Sequence, residues 1–124
     1  MGKQPAFQFY PNDWLRDLEE YPLEIQGAWI VILCKLWWAD DRGKATKTLA
    51  EWSKILRENL KKTHQILKKL DQKKIGNFEG LDNQNSNLNR NTMITIISRR
   101  MVDDHRKSQL RQAVGKLGGN PNLK

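Results

Sequence analysis

The sequence predicts an α+β fold of the winged helix-turn-helix type, with a three-helix core, a two-stranded wing and an additional C-terminal helix. Three observations predict it. Apolar residues recur at helical spacing in three segments before residue 73, and the pattern then changes to strand-like runs near residues 74–79 and 92–97. A charged helical pattern resumes at Ser98. The chain has 124 residues, enough for one domain with a single core, and we place that domain at 1–114 and a Gly/Asn/Pro linker or tail at 115–124.

The elements follow in order. Met1 to Pro11 is an extended arm carrying Phe7, Phe9 and Tyr10 and closed by Pro11. Asn12 or Asp13 can cap a short turn over Trp14 to Leu18. Pro22 suits the first position of the next helix, and Glu24 complements that helix's N-terminal dipole. Ile25, Ala28, Trp29, Ile32, Leu33, Leu36 and Trp37 form one apolar face, while Ile30, Val31, Cys34 and Trp38 fill much of the rest. A helix apolar nearly all round is expected to be covered on several sides, so this is the predicted central helix. Cys34, the only cysteine, is then a small buried hydrophobe in a reducing compartment.

Asp40-Asp41-Arg42-Gly43 ends that helix, and Lys44 to Lys47 is a short extended piece. Thr48 followed by Glu51 is a capping box, in which each side chain satisfies the other's free backbone donor. It opens a helix over Leu49 to Leu56, with Leu49, Trp52, Ile55 and Leu56 inward. Arg57-Glu58-Asn59 is a tight link to a second helix, Leu60 to Gln72, whose stripe is Leu60, Thr63, Ile66, Leu67 and Leu70. Lys74 to Glu79 and Thr92 to Ile97 are the strands of a hairpin. Between them, Gly80 to Asn91 holds five Asn and too few hydrophobes to pack, which marks a hairpin tip. The last helix runs from Ser98 to about Val114 and ends at Gly115.

Net charge is +8, and it is unevenly placed. Residues 1–39 carry −2, residues 58–74 carry +4, and residues 99–124 carry +5. Such a field favours a polyanion met by the middle and end of the chain. The same surplus also serves plain solubility. The start of the chain lacks the apolar stretch of a signal peptide, and the most apolar run, Ala28 to Ala39, falls well short of the ~20 residues that span a bilayer. These features predict a cytoplasmic or nucleoid-associated protein with no membrane partner.

The order of elements places the Leu60–Gln72 helix where winged helices insert a helix into the major groove. Its outer face carries Lys61, Lys62, Gln65, Lys68, Lys69 and Gln72 with no carboxylate, and Lys73 and Lys74 follow. Phosphate neutralisation supplies most of the affinity for duplex DNA, so an acid-free cationic face is what such a helix needs. Lys61, Lys62, Lys68 and Lys69 are the backbone-contact candidates, and Asn59 and Gln65 the candidates for base edges. An ordinary solvated helix face is the competing reading. Arg90 closes a loop, Asn83 to Asn91, that fits either a DNA-touching wing tip or a merely flexible hairpin. Arg99, Arg100, Arg106, Lys107 and Arg111 either extend the cationic footprint or form a solvated face.

Catalysis is not expected. His64 and His105 have no second His or Cys at metal spacing, and a single Cys cannot build a zinc site. Asp40-Asp41 and Asp103-Asp104 are adjacent pairs whose members point apart on regular structure. The glycines near Gly118 lack the Lys-Ser/Thr of a phosphate loop. No cofactor is implied.

The run Phe9-Tyr10-Pro11-Asn12-Asp13-Trp14-Leu15, followed by Leu23-Glu24-Ile25-Gln26-Gly27-Ala28 and the Trp-rich helix, resembles the N-terminal domain of phage and prophage replication initiators, or replisome organizers. Ile94 to Ser98, Arg99-Arg100-Met101 and Gly118-Gly119-Asn120-Pro121 look like the end of the same domain. The resemblance implies a winged helix, binding to origin double-stranded DNA, and recruitment of the host helicase or its loader through a further C-terminal region. The sequence stops at Lys124, which implies a fragment or a short family member. The resemblance supplies no DNA-contact residues. Two other functions fit the residues: a protein assembly module, in which Phe7, Phe9, Tyr10 and Trp14 pack on a second subunit of a homo-oligomer, and a winged-helix transcriptional regulator.

Overall fold

The structure, a computed structural model, describes residues 6–81 and 89–118, with side chains described to Gly115. Within them the chain forms α1 (Pro11–Leu18), α2 (Leu23–Trp37), β1 (Lys44–Thr48), α3 (Leu49–Leu56), α4 (Leu60–Gln72), β2 (Asn77–Glu79), β3 (Met93–Ile97) and α5 (Arg99–Gly118). This is an α+β arrangement of five helices and a three-stranded antiparallel sheet among the described residues, compatible with a winged helix. No helix is long and apolar enough to cross a membrane.

The sheet has the order β1-β3-β2. β3 pairs with β1 from Lys44 opposite Ile97 to Thr48 opposite Met93, and with β2 from Asn77 opposite Ile97 to Glu79 opposite Thr95. The piece expected at Lys44–Lys47 is thus a full strand, and the two-stranded wing becomes part of a three-stranded sheet. Ile94 and Ile96 of β3 point into the core at even spacing, as a half-buried strand requires. Gly80 turns the chain after β2 at φ +84°, and a Cβ there would meet the Met93 carbonyl oxygen at 2.2 Å. Only glycine satisfies both conditions.

The core is built from α2, α3, α4 and β3. Ile25, Ile32, Leu36, Leu49, Trp52, Leu67, Leu70, Ile94 and Ile96 are almost wholly enclosed. Helix α3 shows why its boundaries were readable. Its first-turn donors are all matched: Thr48 N–H donates to Glu51 Oε1 (2.8 Å), Glu51 N–H to Thr48 Oγ1 (3.1 Å), Leu49 N–H to the Thr92 carbonyl (2.9 Å) and Ala50 N–H to the Arg90 carbonyl (3.0 Å). Its other end closes with Arg57 in the left-handed region at φ 58° and Glu58 N–H donating to the Ser53 carbonyl.

Several elements differ from the sequence expectation. Pro11 does not close the arm but opens α1, with Tyr10 at the N-cap and no side-chain cap from Asn12 or Asp13. At that first position its missing N–H costs nothing. Pro22 is the N-cap of α2, one residue before the position expected of it. α2 is central but covered on one broad side only: Leu23 is 83% exposed, and Val31, Cys34 and Trp38 also face out. Apolar residues are common on surfaces, so apolar character all round does not oblige burial all round. The predicted buried role of Cys34 is therefore corrected. Lys74 does not begin a strand. It sits at φ 57° in the turn that closes α4, where Lys74 N–H donates to Asp71 O and Ile75 N–H to Leu70 O. α5 runs through Gly115 to Gly118, and the predicted linker beyond it lies outside the described residues.

Trp52 joins the helices to the sheet. Its ring is fully buried and its Nε1–H donates to the Ile94 carbonyl at 3.0 Å. Trp52→Phe keeps an aromatic ring but leaves a gap and removes that donor. We expect a loss of about 2 kcal/mol or more, a sizeable share of the ~5–15 kcal/mol typical of a domain. A urea melt should show a lower midpoint at unchanged slope; a midpoint equal to the parent's would remove Trp52 from this role.

Candidate functional site

Helix α4 presents its polar face because its apolar face is held by α2 and α3. Thr63, Ile66, Leu67 and Leu70 are buried against α2 and α3, and His64 is buried beside them. Periodicity then turns Lys61, Gln65, Lys69 and Gln72 outward, at successive spacings of four, four and three residues, and all four are exposed. Lys62 and Lys68 flank this line and are half-buried. The first turn of α4 contains no acidic residue, so the positive end of the helix dipole is left uncompensated within the helix.

The remaining candidates are placed differently. Asn59 is the N-cap of α4, and its side-chain oxygen accepts the Lys62 N–H at 2.7 Å. That oxygen is committed to the helix. The amide expected to read bases is chiefly a cap, and Asn's strong preference for that position was the available signal. Lys62 Nζ lies 2.9 Å from Glu24 Oε2 at the start of α2. The hydrogen bond to Glu24 holds the Lys62 ammonium above its ordinary pKa. The acid-free character of the helix itself therefore does not extend to its surroundings, a tertiary contact that spacing along α4 cannot reveal. Lys73 is the C-cap of α4, four residues beyond Lys69, and Lys74 lies in the turn that follows; both are exposed. Arg90 is exposed on the return of the hairpin, where its carbonyl caps α3. Of the loop expected as a wing tip, residues 83–88 lie outside the described residues.

The aromatic arm packs on its own domain. Phe7 meets Trp37 with ring centroids 5.7 Å apart, and Phe9 meets Trp14 at 5.4 Å. The Tyr10 hydroxyl donates to Asp104 Oδ2 of α5 at 2.7 Å, which raises the phenol's pKa. The Arg100 guanidinium stacks over the Tyr10 ring and pairs with Asp13 of α1. Arg100 and Arg106 are thereby occupied, Arg106 by Asp103 at 2.8 Å. The arginines of α5 serve partly as internal ties.

Arg42 is a residue whose role the sequence did not suggest. It is only 7% exposed, its guanidinium lies 3.8 Å from the centroid of the Trp37 ring, and its Nε has no hydrogen-bond partner among the described residues. Burying an ion costs several kcal/mol even after relaxation, whereas stacking on a ring returns ~2 kcal/mol. Trp37 alone does not balance that burial. No group of three or more metal-ligating side chains exists among the described residues.

In comparisons with known proteins, no family model, curated protein or solved structure matches this chain.

The tie between α1 and α5 should be pH-dependent. The hydrogen bond from Arg100 holds the Asp13 carboxyl below its ordinary pKa. Its stabilising effect is thus fully present above the ordinary carboxylate value and is lost as pH falls through the depressed one. Asp13→Asn should lower the melting temperature at pH 7, and the difference from the parent should shrink as pH falls below about 4. A constant difference down to pH 2 would show that the carboxylate charge is not what holds the tie.

Proposed function

We propose that this chain is a winged-helix domain that binds duplex DNA in phage-type replication initiation, with α4 in the major groove and the hairpin alongside. The observation that carries the proposal is the exposed line Lys61, Gln65, Lys69 and Gln72 on a helix with no acidic first turn. Lysines on such a line neutralise phosphates as point charges, and Gln65, centred among them, is aimed where an amide can pair with adenine. The resemblance to replication initiators supports origin DNA as the target and a helicase or its loader as a further partner. Phe7 packs on Trp37 and Tyr10 on α5, which weighs against the assembly reading for those two residues, whereas Phe9 remains 50% exposed beside Trp14.

Lys62 gives the proposal its sharpest test. Glu24 is both the partner that occupies this lysine and a carboxylate beside the phosphate path. For the parent, log affinity should fall linearly with log salt, at ~0.9 per phosphate contact. Lys61→Ala with Lys69→Ala should reduce that slope by about 1.8. Glu24→Gln should act in the opposite direction and tighten duplex binding by roughly twofold or more, since it frees Lys62 and removes a like charge from the interface. A filter or anisotropy titration across salt concentrations reads all three. An unchanged slope in the lysine variant, with unchanged affinity in Glu24→Gln, would take α4 out of the interface.

A further inference from the structure

The arm, α1, the Trp29–Leu33–Trp37 side of α2 and the first half of α5 surround a half-open cavity of about 650 Å³. That size lies within the ~300–1,000 Å³ usual for small-molecule sites. Its walls combine aromatic rings, from Phe7, Tyr10, Trp14 and Trp37, with an excess of cations. Four carboxylates also line it, and each already has a partner. Asp13 is held by Arg100 and Arg16, Asp17 by Arg16, Asp103 by Arg106, and Asp104 by the Tyr10 hydroxyl.

Arg42 has none of them. It is buried at the wall, stacked on Trp37, with its Nε unpartnered. Lys74, Arg99, Lys107 and Arg111 line the same space and form no ion pair among the described residues. A guanidinium without a counter-charge among the described residues, beside an open, ring-lined space, suits an anion joined to a flat ring. The fork of N–H donors matches phosphate, and the half-buried Trp14 ring offers stacking surface to a base.

We propose that this cavity binds a nucleoside phosphate, with the phosphate on Arg42 and the base against the aromatic lining. The same chemistry is carried by a free nucleotide and by the phosphorylated end of a single strand. The site is separate from the α4 line and does not depend on duplex binding there.

Trp14, Trp29 and Trp37 lie in the cavity wall, so tryptophan fluorescence reports its occupation directly. The 124-residue protein is titrated with deoxyadenosine monophosphate, with deoxyadenosine, and with a 5′-phosphorylated single-stranded octanucleotide. Saturable quenching by the monophosphate is expected, with deoxyadenosine at least tenfold weaker. Arg42→Gln should weaken the monophosphate at least tenfold while melting, without ligand, no lower than the parent. Lys61→Ala with Lys69→Ala should leave monophosphate binding unchanged, which separates this site from α4. Tighter binding of the octanucleotide assigns the phosphate to a strand end, and equal or weaker binding assigns it to a free nucleotide; either supports the site. Absence of saturable quenching by the monophosphate overturns the proposal. So does equal affinity for deoxyadenosine, a comparison that needs no variant to fold.

Discussion

The architecture turns on the docking of α3 against β3. β3 is the middle strand, bonded to β1 on one side and β2 on the other, and the buried Trp52 fastens α3 to it through the Ile94 carbonyl. The same junction consumes the free donors of the first turn of α3, two of them on the carbonyls of Arg90 and Thr92 at the returning end of the hairpin. Helix, strand and hairpin base are thus fixed as one unit. Arg57 then reverses the chain in a left-handed turn, Asn59 caps α4, and the direction in which α4 shows its lysines follows from these contacts.

Electrostatics and packing oppose each other on α4, and packing prevails. Like charges at neighbouring helical positions cost only ~0.2–0.5 kcal/mol per pair, while each fully buried aliphatic side chain contributes ~1.5–3 kcal/mol. Ile66, Leu67 and Leu70 therefore tolerate the crowded lysines with a wide margin. The repulsion persists as a stored preference for an anion on the outer face. Glu24 answers part of it at Lys62, near the N-terminal end, and leaves Lys61 and Lys69 to face solvent.

Local signals were legible in the sequence, and contacts between distant segments were not. The bounds of α3 and α4 agree with their sequence expectation because a capping box, an Asn cap and clean 3.6-residue periodicity act within a few residues. Pro11 suits the close of an extended arm, but its fixed φ serves a helix start equally well. The all-round apolar character of α2 does not tell which side is covered, and Cys34 faces out because that depends on where α3, α4 and the arm pack. Asn59 as a cap was readable from residue type. Glu24 beside Lys62 and Tyr10 on Asp104 each join segments far apart in sequence, and no spacing rule reaches them. Gly115 failed to end α5 because one glycine costs a helix only ~1 kcal/mol.

We propose that the outer face of α4 meets duplex DNA, and amide chemical-shift mapping during a duplex titration reads that surface residue by residue. The largest shifts are expected on the amides of Lys61, Gln65, Lys69 and Gln72, with weaker ones near Arg90, while α1 stays still. Shifts confined to α1, the arm or α5, with α4 unmoved at saturation, would contradict it.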